Sequence, residues 1–155
     1  MRPTLPVIPA QVDAAAGEPV PSRITLEADR DTVPVAMDFS PHGRSLAVIG
    51  SRASAPLAGV LGTWDAATGR RQWQEPSGHL PEPMSAAVAF SPDGELLAVP
   101  AGSPVNAIGL FDAGSGKARK ALKVMQPAGA QGFKLAFSPN GKRLAGCMKG
   151  APPTP

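Results

Sequence analysis

Few side chains in this sequence could do chemistry by type: one cysteine, Cys147, two histidines, His42 and His79, and one oddly placed acid, Asp38. A catalytic thiol needs a base beside it, and no spacing places either histidine next to Cys147. One cysteine also excludes an internal disulfide framework and any multi-cysteine metal site. Cys147 therefore reads as a small hydrophobe buried on a strand. Asp38 interrupts an apolar run where two similar stretches carry Ala89 and Ala136. One acid without histidine or glutamate companions is not a metal site, so Asp38 is expected to be solvated or hydrogen-bonded to backbone. The run GSGK, Gly114–Lys117, lacks the earlier glycine and the following Ser/Thr of a phosphate loop. No Ser-His-Asp set can be assembled, because Ser40, Ser91 and Ser138 each belong to a turn phrase. The expectation is a non-enzyme with no catalytic, metal or cofactor residues.

Composition narrows the class further. The chain has 155 residues, 43% hydrophobic and 5% aromatic, with 19 prolines. So much proline disfavours long helices and favours turns and short strands. A net charge of +3 is mild. Arg70, Arg71, Arg119, Lys120 and Lys123 fall on two short segments with no stacking aromatics interleaved. Edge protection explains them more simply than a nucleic-acid footprint, so nucleic acid is disfavoured as a partner. No stretch approaches the roughly 18 apolar residues of a membrane span. Pro3, Pro6 and Pro9 break up the first residues where a signal peptide would need a continuous apolar region. The expected location is cytoplasmic, with no membrane association.

The elements that would position these residues come from a phrase written three times: FSPHGRSLAV from Phe39, FSPDGELLAV from Phe90 and FSPNGKRLAG from Phe137. A recurrence near fifty residues marks a repeat architecture. In each copy an apolar run leads into S-P-x-G, where proline sets φ, the following residue turns the chain and glycine accepts positive φ. A second apolar run follows, which makes a β-hairpin. His42 occupies the turn position held elsewhere by Asp93 and Asn140, and so reads as a surface residue. After the hairpin come a third run, LAGVLGTWD or AIGLFD, a small-residue turn, and a polar fourth run, RRQWQ or ARKALKV.

An all-apolar strand is covered on both faces, whereas one rich in Lys and Arg behaves as an edge. A unit graded from apolar first strand to polar last strand is a propeller blade. The predicted fold class is all-β, an incomplete β-propeller of four-stranded antiparallel blades. Blade-like units are expected at about 33–74, 84–124 and 132–148, within a propeller region 23–148. RITLE, Arg23–Glu27, is the expected outer strand of a preceding blade. Residues 1–22 and 149–155 read as proline-rich linker and tail.

The phrase F-S-P-x-G-x-x-L-A, with W-D-x-x-T-G at Trp64–Gly69, F-D-x-x-S-G at Phe111–Gly116 and Gly78-His79 ahead of the second copy, resembles WD-repeat β-propeller sequence. The resemblance spans about Arg23 to Met148. It implies a structural place for His79 between the outer strand of one blade and the inner strand of the next, and an Asp in the turn before the third strand to bond it. LAGVLGTW and PVNAIGLF contain no such Asp, so hydrophobic packing must supply most of the cohesion.

The resemblance also implies a non-catalytic scaffold that presents loops to protein partners, with no cofactor. The nominated contact residues are Arg30, Asp31, Arg52, His79 and Asn106. The alternative is part of a propeller enzyme with a metal or cofactor in the central channel, to which only Asp38 would contribute. Two and a half units point to a fragment of a larger propeller or multidomain protein, with further blades in a longer or neighbouring chain. A ring self-assembled from several chains is the lesser reading.

Overall fold

The computed structural model describes residues 4–6, 25–79, 87–101, 107–124 and 131–149, in which there are twelve strands and no helix. The strands are β1 (Thr4–Pro6), β2 (Thr25–Glu27), β3 (Thr32–Phe39), β4 (Ser45–Arg52), β5 (Ala55–Asp65), β6 (Arg71–His79), β7 (Ala89–Phe90), β8 (Leu96–Ala101), β9 (Ala107–Asp112), β10 (Ala118–Lys123), β11 (Gln131–Phe137) and β12 (Leu144–Lys149). They form two four-stranded antiparallel sheets, β3-β4-β5-β6 and β7-β8-β9-β10, and two pairs, β11-β12 and β1-β2. We call the four-stranded sheets blades 1 and 2.

The threefold phrase builds one hairpin three times. Gly43, Gly94 and Gly141 take φ of 67°, 76° and 69°, the left-handed region that glycine enters without steric cost. In each turn the serine closes the hairpin twice. Its backbone N–H donates to the carbonyl of Ser45, Leu96 or Arg143, and its hydroxyl oxygen accepts from the N–H of that same residue, at 2.9–3.0 Å. The serines are thus the structural turn-formers that the sequence implied.

The second motif works the same way at the turn between third and fourth strands. Asp65 Oδ1 accepts from the N–H and hydroxyl of Thr68, and Asp112 Oδ1 from those of Ser115. Gly69 and Gly116 then take positive φ and return their N–H to the aspartate carbonyl. Within each blade the two turns are joined, by Ala66 N–H to the Arg44 carbonyl and Ala113 N–H to the Glu95 carbonyl.

Packing between sheets makes the core. Ala36, Ala47, Ile49 and Leu61 of blade 1 meet Val88, Phe90, Leu97 and Val99 of blade 2. The opposite face of blade 2 packs Ala98 and Ile108 against Phe133, with Leu135, Phe137 and Leu144 around them. Leu26 of β2 covers Leu46, Val48 and Trp64 of blade 1. Trp73, on the last strand of blade 1, crosses to blade 2. Its Nε1–H donates to the Ala113 carbonyl at 2.8 Å, and its ring lies where a Gly116 Cβ would be.

Two expectations fail. β3 is not an apolar strand covered on both faces: Val33, Met37 and Phe39 are 47%, 53% and 58% exposed. One face of blade 1 is buried by blade 2, and on the other Leu26 covers Leu46 and Val48 of β4 and Trp64 of β5. Nothing among the described residues lies over Met37 and Phe39. Cys147 lies on a strand as expected, yet it is exposed. β11-β12 turns Phe133, Leu135 and Phe137 toward blade 2, and Cys147 pairs with Lys134 on the side facing away.

Candidate partner-binding face

Antiparallel order brings the start of β3, the end of β4, the start of β5 and the end of β6 to one end of blade 1. Thr32 pairs with Arg52, Arg52 with Ala55, and Ala58 with His79. The tight S-P-x-G and D-x-x-T-G turns occupy the opposite end. Four of the five nominated residues therefore gather at the loop-bearing end: Arg30 and Asp31 in the turn before β3, Arg52 at the close of β4, and His79 at the close of β6. The fifth, Asn106, lies outside the described residues, and of His79 only the backbone position is described.

The segment from β2 to β3 runs along blade 1 and is tied at each step. Glu27 N–H donates to the Gly69 carbonyl at 2.9 Å, and Trp64 Nε1–H donates to the Glu27 carbonyl at 2.5 Å. Asp29 then receives Arg71 and the Gln74 amide, each at 3.0 Å. Finally the Asp31 carbonyl accepts from Ala53 N–H at 2.7 Å, while its carboxylate accepts from the N–H and hydroxyl of Ser54 at 2.8 and 2.5 Å. The hydroxyl of Ser54 is the main cause that lowers the Asp31 pKa, and the Arg71 hydrogen bond does the same for Asp29. Both stay ionised at neutral pH.

The result is a mixed-charge rim on a held loop pair, able to form hydrogen bonds and ion pairs with a partner surface. Sequence reading missed Asp29, Ser54 and Gln74. Asp29 stands 42 and 45 residues from Arg71 and Gln74, and no local pattern signals a pairing over that distance. Arg71, on the outer strand, does more than protect an edge: it binds Asp29.

Asp38 is held at the blade 1–blade 2 contact, half-buried, where Oδ2 accepts the Phe90 N–H at 2.8 Å. This is the backbone hydrogen bond expected of it. His42 is exposed in its turn. Among the described residues no three His, Cys, Asp or Glu side chains converge as a metal-ligating group, and no helix is long and apolar enough to cross a membrane.

No family model matches the chain, and no curated protein does. Solved structures do match by fold. A chain of the crystal structure of the mitotic checkpoint complex aligns with TM-score 0.56 at 22% identity over 79% of this chain and 35% of that one. The RRP9 WD40 repeats align with TM-score 0.51 at 17% identity over 69% and 30%. Kuenenia stuttgartiensis hydrazine synthase aligns with TM-score 0.50 at 25% identity over 70% and 27%. The chain thus spans about a third of the length of the structures it matches. The likeness is one of fold, in stacked antiparallel four-stranded sheets. The chain is a divergent, partial β-propeller with the blade fold of WD-repeat proteins.

Proposed function

We propose that this chain is a non-catalytic interaction scaffold of the cytoplasm, whose loop-bearing end at blade 1 receives a protein partner and whose blades belong to a larger propeller. One observation carries the reading: Arg30, Asp31, Arg52 and the end of β6 meet at one end of rigid strands, with the Asp31–Ser54 contacts holding the loops in place. Preorganised loops bind at lower entropic cost than mobile ones. The occurrence of similar blades in the mitotic checkpoint complex and in WD40-repeat proteins supports the scaffold class.

The test compares the wild-type chain with an Arg30→Glu/Arg52→Glu double variant as bait in quantitative affinity capture. A protein retained by the wild type and lost by the variant, then rebound with purified components, is the expected result. An identical set of captured proteins would rule out this end as the contact face. The likeness to hydrazine synthase favours a second reading, a part of a propeller enzyme with a metal or cofactor in its channel. Elemental analysis of the purified protein, finding stoichiometric metal lost on Asp38→Ala substitution, would select that reading instead.

A further inference from the structure

Two half-blades lie in this one chain. Strands run from inner to outer position in chain order, as in β3-β4-β5-β6. The pair β11-β12 has the first two positions, and β12 has no further partner strand among the described residues. The pair β1-β2 is the converse. β2 leads into β3 as β6 leads toward β7, which is the place of an outermost strand, and β1 lies antiparallel beside it. Each pair has what the other lacks, and the two are not hydrogen-bonded to each other.

The faces match as the edges do. In the repeated phrase, Met37 and Phe39 correspond to Val88 and Phe90, while Ala145 and Cys147 correspond to Ala47 and Ile49. Inside the chain, Val88 and Phe90 are both 8% exposed because they pack on Ala47 and Ile49. Their counterparts Met37 and Phe39 are bare, and so are Ala145 and Cys147 on β12. The molecule therefore displays both halves of a contact that it already makes between its own blades. One copy cannot join them: its twelve described strands make three blades' worth, and a propeller ring closes with about four to eight. Two copies supply six.

We propose that two copies of this chain close head to tail into a six-bladed propeller. The β1-β2 pair of each copy completes the blade begun by β11-β12 of the other, and Met37 and Phe39 of each copy cover Ala145 and Cys147 of the other. This rests on the reading of the chain as blades of a larger propeller, and it names the source of the rest. The completed blade covers the open face of blade 1 in full. Leu26 of the same copy lies over Leu46, Val48 and Trp64 as it does now, and the second copy's hairpin lies over Met37 and Phe39. Two-fold closure completes both half-blades and leaves only the short inner and outer edges that every propeller blade has.

Light scattering on the full chain across a range of concentrations tests this directly. The expected mass is twice the 15.8 kDa of one chain, falling to a single chain's mass in Phe39→Asp. Phe39 is exposed in one copy, so that substitution leaves the single chain's own packing intact. Cys147 gives a second readout that needs no variant. Its reaction with a maleimide should slow by an order of magnitude as concentration rises and the thiol is covered, and should stay fast in Phe39→Asp. A chain that remains a monomer throughout, or assembles into open-ended polymers, overturns the proposal, as does a dimer whose Cys147 stays fully reactive. A monomer with a cooperative β-type melt would show that these blades fold without further ones, overturning the ring while leaving the loop-end contact face to its own capture test.

Discussion

Replacing Gly116 by alanine should destabilise the protein several-fold more than replacing Gly43, although both glycines sit in tight turns at nearly the same φ, 73° and 67°. The backbone cost is shared, about 1–2 kcal/mol for a non-glycine residue in the left-handed region. The surroundings differ. A Cβ at Gly43 meets nothing within 4 Å, whereas at Gly116 it would lie 2.6 Å from Cε3 and 2.8 Å from Cζ3 of Trp73. The indole is held by its bond to the Ala113 carbonyl and packs in the core between the blades, so it cannot swing aside freely. Overpacking of this kind adds about 1–3 kcal/mol, and displacing the ring from Ala113 about 1 more. The expected losses are about 1–2 kcal/mol for Gly43→Ala and about 3–6 kcal/mol for Gly116→Ala. For a chain of this size each kcal/mol lowers Tm by about 2–4 °C, which thermal and urea melts followed by circular dichroism resolve easily. Equal destabilisation by the two substitutions would refute the claim that Trp73 locks blade 1 to blade 2 across Gly116.

Asp38→Ala should cost about 1.5–3 kcal/mol in urea unfolding, because it removes a charged acceptor and strands the Phe90 N–H. Asp38→Asn keeps an acceptor and should cost less, with protection of the Phe90 amide from hydrogen exchange largely retained. Asp112 is held down at about 2, first by its hydrogen bond from Arg119 and then by Ser115. Because the folded-state pKa lies below the ordinary 3.8, the stabilisation it contributes is present above about pH 4 and is lost as pH falls toward 2. Carboxyl titration by NMR should show Asp112 rising in Arg119→Ala toward the behaviour of Asp65, whose pKa is lowered chiefly by its Thr68 hydroxyl; an unmoved Asp112 would exclude Arg119 as the cause. Ser91→Ala removes the hydroxyl that accepts from Leu96 N–H and donates to Asp93. It should cost about 1 kcal/mol and raise the Asp93 pKa, since Ser91 is the main group lowering it.

Local chemistry alone determined a good deal of this protein. Proline, a turn residue and glycine after a serine dictate a hairpin wherever they occur, and three copies at a steady period dictate stacked antiparallel sheets, so the all-β propeller fold was legible in the sequence. The turns after Trp64-Asp65 and Phe111-Asp112 were legible as turns, while the role of their aspartates, which bond groups two or three residues away, came from the structure. Contacts between distant segments were not. The clasp of Asp29 on Arg71 and Gln74, and that of Asp31 on Ser54, depend on where antiparallel pairing happens to place side chains far apart in the chain. Burial escaped sequence reading for a related reason. Met37, Phe39 and Cys147 have the residue types of covered positions, but a sheet has two faces, and only tertiary structure decides which face finds a neighbour.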